Sequence, residues 1–422
     1  MRARLFLESL EGRDLLSTYF VATTGTDGAV GSSATPWATL QFAVDHVKAG
    51  DVIEVESGTY LGCRIGNNGN FNSNSGTAPS PITLEAAAGA AVVVDAPGPN
   101  NYHGSDIEVE NFSSTVQYWT IKGIECKDAP ENAGIDIRTA AHITVEDCTC
   151  TYNYNWGIFT AFSNYVTLLN NTCSYSINQH GIYCSNSSSY ITVEGNTCDN
   201  NKDCGIQFNG DLSQGGNGLM SNNLIAGNIL YDNGANGGAA LNFDGLENST
   251  IENNLLYNNQ AGGIVLYHAD AAKGSQNNIV INNTIYMPAG SRWAININAG
   301  STANVLYDNI IYCASPSTGC IEISSNSLTG FVSNYNIFNG SSVFSVNDGS
   351  STISLAKWQA KGYDTHLLTE SAAALWVNVA QDNFMLAASS PALHSGTTKH
   401  EPATDIDGTA RSKTSDDIGC YV

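Results

Sequence analysis

One phrase recurs along much of the chain: a short apolar run, a turn built on Asn or Cys, and a second apolar run. It reads YVTLLNNTCSYSINQHGIYCS from Tyr165, YITVEGNTCDNNKDCGIQFNG from Tyr190 and STIENNLLYNNQAGGIVLYH from Ser249. Aligned on the turn, Cys148, Asn171, Asn196, Asn228, Asn254, Asn283, Asn309 and Asn336 become equivalent, and from Asn171 onward the steps are 25, 32, 26, 29, 26 and 27 residues. Two positions further on stand Cys150, Cys173, Cys198, Leu230, Leu256, Ile285, Ile311 and Phe338, with Cys126 one rung earlier. All of these suit a dry interior. The flanking runs alternate with period two, as in Ile191-Thr192-Val193 and Ile206-Gln207-Phe208, so they read as short strands with one face in and one out. A single coil of this length cannot bury its own apolar face, whereas a stack of coils makes one continuous core.

The turn column is expected to hydrogen-bond from rung to rung through its amides, where Asn also tolerates left-handed backbone. A glycine column, Gly134, Gly157, Gly181, Gly205 and Gly263, marks the entry to the next strand. Most of the eleven cysteines fall in or beside the inward columns. They read as small apolar filling, because rungs ~4.8 Å apart are too far for an unstrained disulfide between equivalent positions. Cys313 and Cys320 are the pair to test for a bond.

Both ends carry cap signals. TPWATLQFAVDHVKAGDVIEVESGTY begins at Thr35 and places Leu40, Ala43, Val44 and Val47 at helical spacing, predicting a helix over about 36–48 that hides the edges of the first coil. SLAKWQAKGYDTHLL predicts a second short helix after the last regular coil. The organisation is therefore an N-terminal segment 1–17, stacked coils with their cap over 18–350, and a capping or anchor-like region over 351–422.

Composition excludes two classes of partner. Sixteen Lys plus Arg against 39 Asp plus Glu give a formal charge of −23, which opposes phosphate-dominated nucleic-acid binding. No run of 18 apolar residues is present, so no transmembrane helix is expected.

The Pro-Trp-x-Thr-Leu-Gln stretch at Pro36, the Gly50-Asp51-x-Ile-x-Val strand, Gly58-Thr59-Tyr60 and the repeated coils together resemble the pectate-lyase-like superfamily of right-handed parallel β-helix proteins, over nearly the whole chain. The tail, with Ser-Pro-Ala-Leu, Asp407-Gly408, Arg411 and Asp417-Ile418-Gly419 in order, resembles the terminal module of bacterial surface β-helix proteins. Leu10, Glu11, Arg13, Leu15, Leu16 and Ser17 resemble a short segment that opens many exported bacterial proteins, which implies a secreted or cell-surface location.

The resemblance implies that saccharide chains lie along one outward column. Counted from the glycine column, its positions are Asp136 with Arg138, Phe159 with Ala161, Tyr183 with Ser185, Gln207 with Asn209, Asn242 with Asp244, Val265 with Tyr267, Asn296 with Asn298, and Glu322 with Ser324. Amides and carboxylates hydrogen-bond sugar hydroxyls, and Tyr183 or Tyr267 can pack on a pyranose face. Three successive coils add Asp211, Asp244, His268, Asp270 and Lys273. Two carboxylates one rung apart would serve glycoside hydrolysis. Alternatively, Asp211 and Asp244 would hold Ca²⁺ against a uronate while His268 or Lys273 takes the C5 proton and Tyr267 protonates the leaving oxygen.

The resemblance to calcium-dependent pectate lyases breaks at particular residues. Lys202-Asp203-Cys204-Gly205-Ile206 keeps one metal-ligand aspartate, Asn242 stands where the basic lysine is expected, and Tyr267-His268-Ala269-Asp270 departs from the Asp-Pro-His signature of uronan epimerases. Arg138 is the other outward cation, and pairing with Asp136 would keep it charged. The expected function is a polysaccharide-binding protein that cleaves its ligand, by elimination first and hydrolysis second. The alternative is a non-catalytic adhesin or structural rod.

Overall fold

The computed structural model describes residues 17–66, 74–315 and 318–422. The export-type segment therefore lies, but for Ser17, outside the described residues. Three twelve-stranded sheets run the length of the molecule, and each coil gives one strand to each. In one coil Thr192–Glu194 joins the first sheet, Thr197–Asp199 the third and Ile206–Asn209 the second. The next coil places Leu224–Ala226, Ile229–Tyr231 and Ala239–Asp244 directly beside them in parallel register. The exception is an antiparallel pair, Val343–Ser345 with Ile353–Ser354, that ends the second sheet. The chain is all-β in character and winds as a right-handed parallel β-helix.

The inward column follows the sequence register rung by rung. Cys126, Cys150, Cys173, Cys198, Leu230, Leu256, Ile285, Ile311 and Phe338 are each paired with the next. All are buried. All eleven cysteines are free and buried, including Cys313 and Cys320, so the one pair proposed for a bond is unbonded. The thiol of Cys320 instead meets the Ser342 hydroxyl at 3.1 Å. These thiols fill space that larger apolar side chains fill farther along.

The asparagine ladder is continuous. Asn228 Oδ1 accepts from the backbone N–H and the side-chain Nδ2 of Asn196, at 3.0 Å each, and Asn254 Oδ1 does the same for Asn228 at 3.0 and 2.9 Å. Each Nδ2 also donates to a carbonyl of the preceding coil, as Asn254 does to Ile225 at 2.9 Å. A buried amide with all its groups paired is stabilising, whereas an orphaned one costs about 1–3 kcal/mol. The left-handed backbone falls one residue earlier than expected, on Asn170, Gly195, Gly227, Asn253, Asn282 and Asp308. The ladder amides themselves sit in ordinary backbone because their side chains must point into the stack.

The glycine column is required by close approach more than by turning. A Cβ on Gly157 would stand 2.7 Å from the Gly181 carbonyl and 2.8 Å from the Cys173 Cβ.

The capping helix spans Leu40–His46, shorter than predicted, with Thr39 Oγ1 accepting the Phe42 N–H at 3.2 Å. Its start is set by Trp37, which bridges to Val21, and by Asp27, whose Oδ1 accepts the N–H groups of Ala38 and Thr39. Leu40, Ala43 and Val44 close the end of the core. At the far end Leu355–Gln359 forms the second predicted helix and buries Trp358, whose Nε1 donates to Asp364 at 2.8 Å. Beyond it the chain folds back along the third sheet. Leu375, Trp376, Phe384, Ala392, Ile418 and Cys420 make a second core there with Leu255, Ile310 and Ile337. Arg411 fastens this tail to the coils, donating to Asp416 at 2.9 Å and to Asn253 at 2.7 Å.

Candidate functional site

On the outside of the second sheet the register stacks Arg64, Glu108, Asp136, Phe159, Tyr183, Gln207, Asn242, Val265, Asn296 and Glu322 in one column. A neighbouring column stacks Arg138, Ala161, Ser185, Asn209, Asp244 and Tyr267. The expected groove column is thus present, but outward does not mean exposed along all of it.

Its N-terminal half is sealed. Arg64, Glu108 and Asp136 are each at most 3% exposed. Arg64 donates to Glu110 at 3.2 Å and lies 4.2 Å from the Phe112 ring centre. Glu108 accepts the backbone N–H groups of Tyr102 and His103 at 2.7 and 2.6 Å. Asp136 takes two bonds from Arg138, at 2.8 and 3.0 Å, and Arg138 stacks over Phe159. Burial pushes the Asp136 carboxyl up and Arg138 pulls it back. Asp136 and Arg138 are therefore bound to each other, which removes Arg138 as a base.

The C-terminal half opens into a cleft of about 300 Å³ lined by Gly238, Asn242, Gly262, Val265, Tyr267, Arg292, Trp293, Asn296 and Asn298. Four of the sequence-chosen binding residues, Asn242, Tyr267, Asn296 and Asn298, meet here. Asn242 Nδ2 donates to Tyr267 Oη at 3.2 Å and to Gln207 Oε1, while Asn298 donates to Asn296 at 2.8 Å. Asn296 in turn donates to Glu322 at 3.1 Å. Burial pushes the Tyr267 hydroxyl up to about 12, so it keeps its proton at neutral pH. Burial, helped by Asp348, lifts Glu322 to about 7. Tyr183 and Asn209 pair with each other at 3.3 Å farther up the column, outside this cleft.

The catalytic set chosen from sequence gathers in one loop cluster but is consumed by structure. Asp244 is fully buried and accepts the N–H groups of Ala269 and Asp270 at 3.0 and 2.7 Å. Asp211 caps the short turn Leu212–Gln214 by accepting from Ser213. Exposed His268 donates from Nε2 to the Ala271 carbonyl at 3.0 Å, and Lys273 pairs with Glu247 at 2.9 Å. Asp270 is exposed beside them, and its carbonyl accepts from Leu212. None of these side chains lines the cleft. The Ca²⁺ role drawn for Asp211 and Asp244 does not fit either, since both oxygens of the fully buried Asp244 accept backbone N–H groups and Asp211 Oδ1 is turned to Ser213.

Three residues that the strand alternation passed over belong to the site. Arg292 and Trp293 stand in the turn before Ile295–Ile297, where period-two counting does not reach; the Arg-Trp pair in a cation-poor chain was the available signal. Asp203 borders the cleft at Gly238, where a Cβ would fall 2.3 Å from Asp203 Oδ1 and 2.7 Å from Cys204 Sγ. Burial raises the Asp203 carboxyl while Arg292 draws it down, so the two groups sense each other across the cleft edge.

His180, Asp203 and Cys204 each place one potential ligand atom within 4.8 Å of the others. However, His180 Nδ1 accepts the Cys204 N–H at 3.1 Å, and Cys204 Sγ lies between the Ala239 N–H and Gln207 Oε1, at 3.4 Å each. A single carboxylate with one nitrogen and one sulfur is a poor set for a hard cation.

A family model of Pel9A-like right-handed β-helix regions matches residues 19–180, and a model of right-handed β-helix regions matches residues 100–273. No curated protein matches the chain by sequence. Among solved structures, a pectate lyase Pel9A is similar over 96% of both chains, with a TM-score of 0.64 and 18% identity. A structure described as a glycoside hydrolase is similar over 79% of this chain and 95% of its own, with a TM-score of 0.53 and 11% identity. XylC in complex with xylose is similar over 79% and 86%, with a TM-score of 0.51 and 11% identity. At these identities the likeness is one of fold.

Proposed function

From the right-handed β-helix fold and the two β-helix family models that match parts of this chain, we propose that it is an exported protein that binds a uronate-bearing polysaccharide in the second-sheet cleft and cleaves it by β-elimination. The observation that carries this reading is the company Tyr267 keeps. A protonated hydroxyl, a row of amides, an indole and an exposed guanidinium share one open cleft on the outside of the coil, with a carboxylate at its rim. Amides and Trp293 suit sugar hydroxyls and ring faces, and Arg292 suits a uronate carboxylate, which a surface of formal charge −23 would otherwise repel.

In the proposed reaction Asp203 takes the proton at C5, the electrons left behind form the C4–C5 double bond, and the departing O4 receives its proton from Tyr267. Arg292 neutralises the adjacent carboxylate as charge develops on it. The test is incubation with pectin, alginate, glycosaminoglycan and neutral glycans, read by ultraviolet absorbance of unsaturated uronate and by new reducing ends. The expected result is absorbance growing on a uronan, abolished in Asp203→Asn and Tyr267→Phe while binding survives, with Arg292→Ala losing binding as well.

A second reading, non-catalytic glycan binding, is favoured by one observation: Asp211 and Asp244, the two acids given catalytic roles from sequence, both accept from protein donors. Binding without either product would select it.

A further inference from the structure

The first sheet carries two rows of side chains that the second-sheet cleft does not use. Tyr118, His142, Tyr165 and Tyr190 stand at one turn in successive coils, and their rings stack at centroid separations of 4.5, 4.7 and 4.8 Å, within 10° of parallel. Two residues beyond each ring, Thr120, Thr144, Thr167 and Thr192 pair in register on the outward face of the sheet. Rings and threonines line one groove of about 430 Å³, bordered at one end by Ala78 and Pro81.

The turn itself does not require aromatic residues. All four have left-handed backbone, with φ of 55°, 55°, 56° and 58°, an unfavourable angle for a bulky side chain. In the next three coils the register places Asn222, Asn248 and Asn277 at the same position, with φ of 59°, 51° and 56°, and asparagine accepts that angle readily. The rings are thus confined to the four coils that carry the threonine row. Tyr165 and Tyr190 remain 48% and 47% exposed. Among the described residues no hydrogen bond engages the four threonine hydroxyls or the three phenols. An aromatic wall beside a hydroxyl at every rung suits a chain of sugar rings, whose C–H faces pack on aromatic carbon and whose hydroxyls pair with Thr and Tyr.

Charge decides which sugars. Neither row contains Lys or Arg, and the next outward column reads Glu85, Lys122, Glu146, Leu169 and Glu194, with Lys122 paired to Glu146 at 2.8 Å. A uronate would meet acids here without the guanidinium that Arg292 offers in the cleft. We propose that this groove is a second, non-catalytic binding site that takes an extended neutral polysaccharide along its three rungs, ~14 Å, and holds the protein on it. It lies on a different sheet from the cleft and does not depend on the proposed elimination.

The experiment is calorimetric titration of the full chain with cellohexaose, xylohexaose and mannohexaose, and with hexagalacturonate as the anionic control. The parent is expected to bind a neutral hexasaccharide. Tyr165→Asn installs the residue that later coils carry at that backbone angle, and Thr144→Val removes one hydroxyl at constant shape, so both fold. Each should weaken the neutral ligand at least about tenfold, while Arg292→Ala leaves it unchanged. No binding of any neutral hexasaccharide by the parent, unchanged binding in both first-sheet variants, loss of it in Arg292→Ala, or tighter hexagalacturonate binding that Tyr165→Asn removes would each overturn the site.

Discussion

The two halves of the second-sheet column are built on the same register and end in opposite states. Arg64, Glu108 and Asp136 are charged, paired and shut away, whereas Asn242, Tyr267 and Asn296 are neutral and border open space. The difference lies in the connections between the strands. Residues around 101–112 fold over the first coils and bring Glu110, His103 and Phe112 against Arg64, while the coils near 238 and 262 pass the sheet with glycines. Arg64, Glu108 and Asp136 can be kept in the sealed half because each has protein partners there. In the open half neutral amides can face either water or a ligand at little cost. A β-helix thus distributes rigidity and function along one column by what its turns cover.

The largest expected contrast is in stability. Arg64→Ala leaves Glu110 with only His103 and removes the guanidinium that packs on the Phe112 ring, and should cost about 3 kcal/mol in urea unfolding, the scale for breaking a buried ion pair. An equal loss from Asn298→Ala in the cleft would erase the distinction, since that change is expected to stay within about 0.5 kcal/mol.

The next contrast depends on pH and concerns Glu322, at the far end of the open half. Its ordinary value is 4.5 and burial lifts it to about 7 in the folded protein. Below the first value the group is neutral in both states and contributes nothing. Between the two, the folded protein holds a proton that the unfolded chain has lost, so stability falls as pH rises and levels off above about 7. The full drop is at most about 3 kcal/mol. Glu322→Gln should flatten this part of the profile; an unchanged slope would place its origin elsewhere.

The smallest contrast is in Tyr267→Phe. It removes a hydroxyl that accepts from Asn242, and should cost about 1 kcal/mol of stability in the same urea experiment while stopping the proposed elimination. A variant that keeps full turnover would remove Tyr267 from the reaction.

The coil register, the inward cysteine-to-phenylalanine column and the asparagine ladder were legible in the sequence because each repeats at the coil length and each repeat faces the same environment. So was the outward placement of Asn242, Tyr267, Asn296 and Asn298 on the second sheet, which follows from strand alternation once the column is counted. Asp203 stood out only through the resemblance, as a retained metal-ligand aspartate, and Arg292 and Trp293 were hidden because they sit in a turn, where no period applies. Asp244 was misjudged for the same reason: alternation correctly turned it outward, but only a non-periodic loop, 268–271, decides that its carboxylate is covered and spent on backbone N–H groups.

The most direct test of the central claim, that the open half of the column is the binding surface and the sealed half is not, is a set of calorimetric titrations with whichever uronan the panel selects. The parent, Arg292→Ala and Phe112→Ala would be compared under one buffer. The account predicts at least about tenfold weaker binding for Arg292→Ala, or about 1.4 kcal/mol, with Phe112→Ala unchanged. Unchanged affinity in Arg292→Ala together with a loss in Phe112→Ala would contradict it.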